Sequence, residues 1–118
     1  MNNFTQLASS FKSIILINDS NYIGDSVIFF WPVVNLISCN LSSKKIEVFH
    51  NHQNIFKPLK AEVSSFNLES FYELDIDKKN TLIVAFTLKK GSLKHFLKKK
   101  GFQSIVKDFV GINFIALN

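Results

Sequence analysis

The stretch IILINDSNYIGDSVIFFWP, Ile14 to Pro32, decides how the rest of the chain is read. It opens with IILIN, a continuous apolar run of strand length. Runs of this kind are buried on both faces, as strands of parallel sheets are. The polar loop DSNYIG follows, and from Asp25 the pattern is long enough for a helix. Ile28, Trp31, Asn35 and Cys39 fall along one side of it, with apolar neighbours on most others, so the helix belongs in a core. Pro32 lacks an amide hydrogen, and a kink is expected there.

Outward from this stretch the same alternation continues. KKIEVFH, Lys44 to His50, predicts a second strand, followed by a loop and short helical turn over NHQNIFKPL. AEVSSFN, Ala61 to Asn67, predicts a third strand, and LESFYELD a turn of helix. TLIVAF, Thr81 to Phe86, is as clear a strand as the first. GSLKHFLKKKG then places Leu93, Phe96 and Leu97 at helical spacing with Lys94 and Lys98 opposite, and Gly101 supplies the C-cap. The closing run VGINFIAL predicts a last strand. Apolar strands alternating with helices imply an α/β fold, a mainly parallel sheet with helices on both faces. The 118 residues suffice for one domain, with residues 1–12 as an N-terminal extension.

Composition narrows the function classes. Hydrophobic residues make up 47% of the chain, which argues against disorder. The net charge is +5, and all 14 basic residues are lysine. Arginine is the side chain of forked phosphate and base-edge recognition, so its absence argues against a sequence-specific reader of nucleic acid. A single cysteine, Cys39, leaves no intramolecular disulfide and no cysteine-based zinc site. The N-terminus has no secretion signal, and VIFFWPVVNLI is far short of the ~20 residues of a spanning helix. A cytoplasmic location is expected. His50 and His52 share a side if extended, but no third metal ligand is evident nearby, and neither a metal nor a cofactor is expected.

In open α/β sheets, ligands bind beyond the carboxyl ends of the strands, and DSNYIGD lies in the loop after the first strand. Gly24 allows a sharp turn and close approach to a ligand, and the amides of the following helix can receive an anion. Asp25 has two readings. As structure it caps the helix, contributing about 1 kcal/mol. As chemistry it is a general base facing a crevice. The dinucleotide fingerprint and the Walker loop are both missing.

Strand, polar loop, Ile23-Gly24-Asp25, an apolar helix carrying a proline and a further strand together resemble the N-terminal half of the family 9 glycosyltransferases, the ADP-heptose:lipopolysaccharide heptosyltransferases. TLIVAFTLKKGSLKHFLKKKGFQSIV is similar to that family's strand, its L-x-x-x-L-x-x-x-G helix and the strand after it. The resemblance covers Ser13 to the C-terminus and implies a Rossmann-like N-terminal half of a GT-B enzyme. It implies an acceptor-binding role, with Asp25 deprotonating the acceptor hydroxyl. A nucleotide-sugar donor would need a second domain or subunit in trans, because the donor-binding domain has no place in these residues. Ser20, Asn21, Tyr22 and Gly24 become candidate acceptor contacts, although Ser and Asn in such loops also satisfy the turn itself.

Lys89, Lys90, Lys94, Lys98, Lys99 and Lys100 form a basic cluster. It is either a solvated face or a surface for anionic lipid and the phosphates of a glycolipid acceptor, with Lys90 and Lys94 as contacts and the protein peripheral to the inner membrane. No aromatic platform interleaves with these lysines, so nucleic acid is not an expected partner. The rival to a transferase domain is a non-catalytic Rossmann-like binding or interaction module, degenerate or truncated from such an enzyme.

Overall fold

The computed structural model describes residues 3–20, 34, 37, 38, 40, 41, 43–51, 63–87 and 90–108. Its strands are β1 (Ser13–Asn18), β2 (Lys45–His50), β3 (Val63–Asn67), β4 (Thr81–Thr87) and β5 (Gln103–Asp108). They form one sheet in the order β3-β2-β1-β4-β5, and every neighbouring pair is parallel. Three helices accompany them: α1 (Asn3–Ser9), α2 (Leu68–Glu73) and α3 (Lys90–Lys99). This is a Rossmann-like α/β fold with β1 at its centre.

The pattern of burial follows from each strand's place in the sheet. Every residue of β1 from Ile14 to Asn18 is buried, and β4 is buried throughout. A strand with neighbours on both sides and helices on both faces has no solvent-facing position, and a continuous apolar run is the sequence form of that. Each aliphatic side chain so enclosed stabilises the fold by about 1.5–3 kcal/mol. β3 lies at an edge of the sheet, where only Val63 is buried and Ser64 to Asn67 are exposed.

Successive side chains alternate between two clusters. Ile14 and Leu16 join Ile46, Val48, Leu82, Val84 and Phe86 on the first face, covered by Ala8 of α1 and by Val34, Ile37 and Leu41. Ile15 and Ile17 join Phe49, Ile83 and Ala85 on the second face, covered by Leu68 and Phe71 of α2 and by Leu93 and Leu97 of α3. The chain moves one way across the sheet from β1 to β2 and the other way from β3 through β4 to β5. Crossovers of one hand then put their helices on opposite faces. Helical residues 34, 37 and 38, in the β1–β2 connection, are buried on the first face, and α2 and α3 cover the second. Helices on both faces are thus observed.

Local sequence fixes the helix ends. Asn67, in extended conformation at φ −73° and ψ 156°, caps α2: its side chain accepts from the Ser70 amide at 2.9 Å, and Glu69 lies in the first turn. At the other end of α3, Gly101 takes φ 84°. Its amide donates to the Lys98 carbonyl and that of Phe102 to Leu97, both at 3.0 Å. This is the pair of bonds of a Schellman cap, and the expected role of Gly101 is realised.

The strands expected at Lys44–His50 and Thr81–Phe86 are found within a residue of those bounds. The third begins at Val63, and Ala61 and Glu62 lie outside the described residues. The strand after the lysine-rich helix is β5, at Gln103–Asp108, while VGINFIAL and Pro32 also lie outside them. Within the first twelve residues, α1 brings Ala8 into full burial, with Leu7 and Phe11 packed on the same cluster. Among the described residues no helix is long and apolar enough to cross a membrane.

Candidate functional site at the carboxyl edge of the sheet

With β2 and β3 on one side of β1 and β4 and β5 on the other, chain direction reverses between β1 and β4. The helical residues that follow these two strands lie on opposite faces, and the usual ligand position in such sheets is a crevice at the carboxyl ends of that pair. The residues there are polar. Asn18 is in register with His50 on one side and Phe86 on the other. One step further along lie Asp19, Asn51 and Thr87, and Thr87 is in register with Asp108 of β5. The apolar runs of β1 and β4 therefore give way to a row of amide, carboxylate, imidazole and hydroxyl groups.

Asp19 is held in that row from both neighbouring strands. Its amide donates to the Phe86 carbonyl at 3.2 Å, extending the β1–β4 ladder by one residue. Its carboxylate Oδ2 accepts from Thr87 Oγ1 at 2.6 Å, across the crevice. Its carbonyl accepts from Asn51 Nδ2 at 3.4 Å, a contact from the end of β2. Thr87 is fully buried, and a short hydroxyl-to-carboxylate bond there is roughly twice as strong as a neutral one. A carboxylate held in this way is a fixed acceptor for the hydroxyl or amide hydrogens of a ligand.

The groups beside it are also built in. Asn18, fully buried, turns its Oδ1 to the Ser20 amide at 3.0 Å, an Asx turn that fixes the direction in which the chain leaves β1. His50 is 4% exposed, and its Nε2 lies 2.7 Å from Ser65 Oγ on the edge strand. Tyr72, on α2 and on the second face, has its phenol pKa raised above the usual 10.0, first by burial and then by the negative charge of Asp19. The field of Asp19 thus reaches the aromatic side of the domain.

Of the residues expected in the site, Ser20 is buried at the crevice with its amide committed to the Asx turn, the structural role weighed for it. Asp25, Asn21, Tyr22 and Gly24 lie outside the described residues. Lys90 opens α3 directly after the β4 connection, at the crevice end of that helix, and Lys94 is exposed one turn on. His52 lies outside the described residues, and among those described no three His, Cys, Asp or Glu side chains group as metal ligands. Sequence reasoning passed over Asn18, Asp19 and Thr87. The available signal was the place where both IILIN and TLIVAF stop being apolar, at Asn18-Asp19 and at Thr87.

Fold and site together define a Rossmann-like α/β domain with a row of polar residues at its topological switch point. No protein-family model matches the chain, no curated protein is significantly similar to it, and no solved structure matches it.

Proposed function

We propose that this chain is a glycosyltransferase-like acceptor-binding domain, resembling the heptosyltransferases that pass a sugar from a nucleotide donor to a lipopolysaccharide-type acceptor. The observation that carries the reading is the Asp19 carboxylate, clamped by Thr87 at 2.6 Å across the β1–β4 switch point. A fixed carboxylate among Asn18, His50 and Asn51 is suited to a polyhydroxylated ligand, because each ligand hydroxyl is both donor and acceptor. On this reading Asp19 holds the acceptor and Asp25, six residues on, removes the proton of the attacking hydroxyl. The hydroxyl oxygen then attacks the anomeric carbon as the nucleotide leaves, in a single inverting displacement. The donor would be held by a second domain or subunit, and the lysines of α3 would meet the phosphates of the glycolipid at the inner face of a membrane.

The second reading, a non-catalytic binding module, is favoured by the same clamp: a carboxylate fixed by Thr87 is placed to hold a ligand and needs no proton transfer to do so. One experiment separates them. Acceptor binding and sugar transfer are measured with a core glycolipid and ADP-heptose, for the wild-type chain, Asp19→Asn and Asp25→Asn. The transferase reading expects Asp25→Asn to bind normally and lose transfer by about a hundredfold or more, the scale of general-base catalysis, and Asp19→Asn to bind weakly. Binding without transfer, with a heptosyltransferase donor domain supplied in trans, leaves the module. A folded chain that neither binds nor transfers overturns the proposal.

A further inference from the structure

The second face of the domain carries a feature that the crevice does not use. Below the carboxyl edge, α2 and α3 enclose a cleft of about 160 Å³, floored by Phe71, Tyr72, Ile76, Phe96 and Phe102. The rings are set edge to face, Tyr72 against Phe96 at 5.4 Å and Tyr72 against Phe71 at 5.5 Å. Two cations stand at the rings: Lys78 Nζ lies 5.5 Å from the centre of Phe102, and Lys100 Nζ 5.8 Å from that of Phe96. Neither has a carboxylate at ion-pair distance; among the described residues the ion pair formed is Lys45 with Glu47. Asp75 is the one carboxylate in the wall. The apolar rim is open to solvent, with Tyr72 50% and Leu74 46% exposed.

We propose that this cleft docks an acidic segment of a partner protein, which inserts one aromatic side chain and sets its carboxylates against Lys78 and Lys100. Size decides between a protein and a metabolite. A cavity of ~150 Å³ holds one benzene ring, whereas sites for complete small-molecule ligands run from roughly 300 to 1,000 Å³. The cleft therefore accepts a single ring and leaves the rest of its ligand outside, as an interface pocket does with an aromatic anchor. Charge decides the sign of the partner. Two unpaired ammonium groups at the rings, with Lys94, Lys98 and Lys99 exposed on the adjoining helix, favour carboxylates flanking the anchor. The cations also polarise the face toward an incoming anion before contact, and this raises the rate of encounter.

The test uses the full chain, labelled with nitrogen-15, and an N-acetylated peptide of one phenylalanine with two aspartates on each side. Saturable shifts are expected at the amides of Leu74, Ile76 and Phe102. Replacing the peptide's phenylalanine by alanine should weaken binding about tenfold or more. The double variant Lys78→Glu with Lys100→Glu should do the same, and because Lys78 and Lys100 are exposed the variant should keep the wild-type circular dichroism. Four results overturn the proposal: no saturable binding; equal binding by a lysine-flanked phenylalanine peptide; shifts at Asn18 to Ser20 and Thr87 instead of at the cleft; or benzoate binding as tightly as the peptide, which would make the cleft a small-molecule site.

Discussion

The strand β1 and its own continuation make an instructive pair. From Ile14 to Ile17 every side chain is aliphatic and buried, and its neighbours on both faces are aliphatic or aromatic. From Asn18 to Ser20 the same chain is polar, and yet Asn18 and Ser20 are buried as deeply. Burial of the first kind stabilises without choosing partners, because dispersion and the removal of apolar surface from water have no direction. Burial of the second kind is tolerated only with hydrogen bonds in defined places. The first segment is therefore where stability resides, and the second is where geometry is specified.

The largest expected effect tests the first half of that contrast. Leu16→Ala removes a fully buried side chain from the centre of the first cluster, where neither the sheet nor the covering helices can easily collapse. A loss of about 2–5 kcal/mol is expected in urea unfolding, with the slope unchanged. A loss under about 1 kcal/mol would mean that the interior is loosely packed and that the contrast is wrong.

Thr87→Val tests the second half and should cost less, about 1.5–3 kcal/mol, the worth of a hydrogen bond to a charged group. Valine matches threonine in shape, so packing is kept and the donor to Asp19 is lost. The two halves should differ further in what else changes. Leu16→Ala should leave ligand binding per folded molecule intact, whereas Thr87→Val should weaken it, because the Asp19 carboxylate loses the bond that orients it. Equal binding by both variants, measured by calorimetry with the same core glycolipid, would remove the clamp from the site.

The same contrast explains what the sequence discloses. The interior of the sheet was legible because IILIN and TLIVAF can hardly be anything but central strands, and the helix with Leu93, Phe96 and Leu97 declares both its face and its glycine cap. β3 was less legible because an edge strand buries only Val63 and its remaining positions carry no apolar pattern. The polar row was hidden for another reason. The pair Asn18-Asp19, Asn51 and Thr87 are far apart in the chain and ordinary one by one, and only the order β2-β1-β4 makes them neighbours. Asp25 drew attention through the resemblance of Ile23-Gly24-Asp25 to a known motif, whereas Asp19 has no motif around it. A strand's last apolar residue, taken across all central strands at once, is the signal that would have marked it.

The smallest effect links the two faces. Tyr72 is held protonated above its ordinary range, mainly by burial and secondarily by the charge of Asp19. The folded state therefore keeps this proton at a pH where the unfolded chain, titrating near 10.0, has released it. Stability is full below about pH 10 and falls as pH rises from there through the folded-state pKa, because in that window the folded protein binds more protons than the unfolded one. In a Tyr22→Phe background Tyr72 is the sole tyrosine, and its titration can be followed by phenolate absorbance. Asp19→Asn should bring the pKa part of the way down and leave it raised, since burial is the larger cause and is unchanged. No movement would mean that the charge at the crevice is screened from α2; a complete return to the ordinary value would mean that the charge, and not burial, holds the proton, and that the carboxyl edge controls the aromatic face more strongly than its geometry implies.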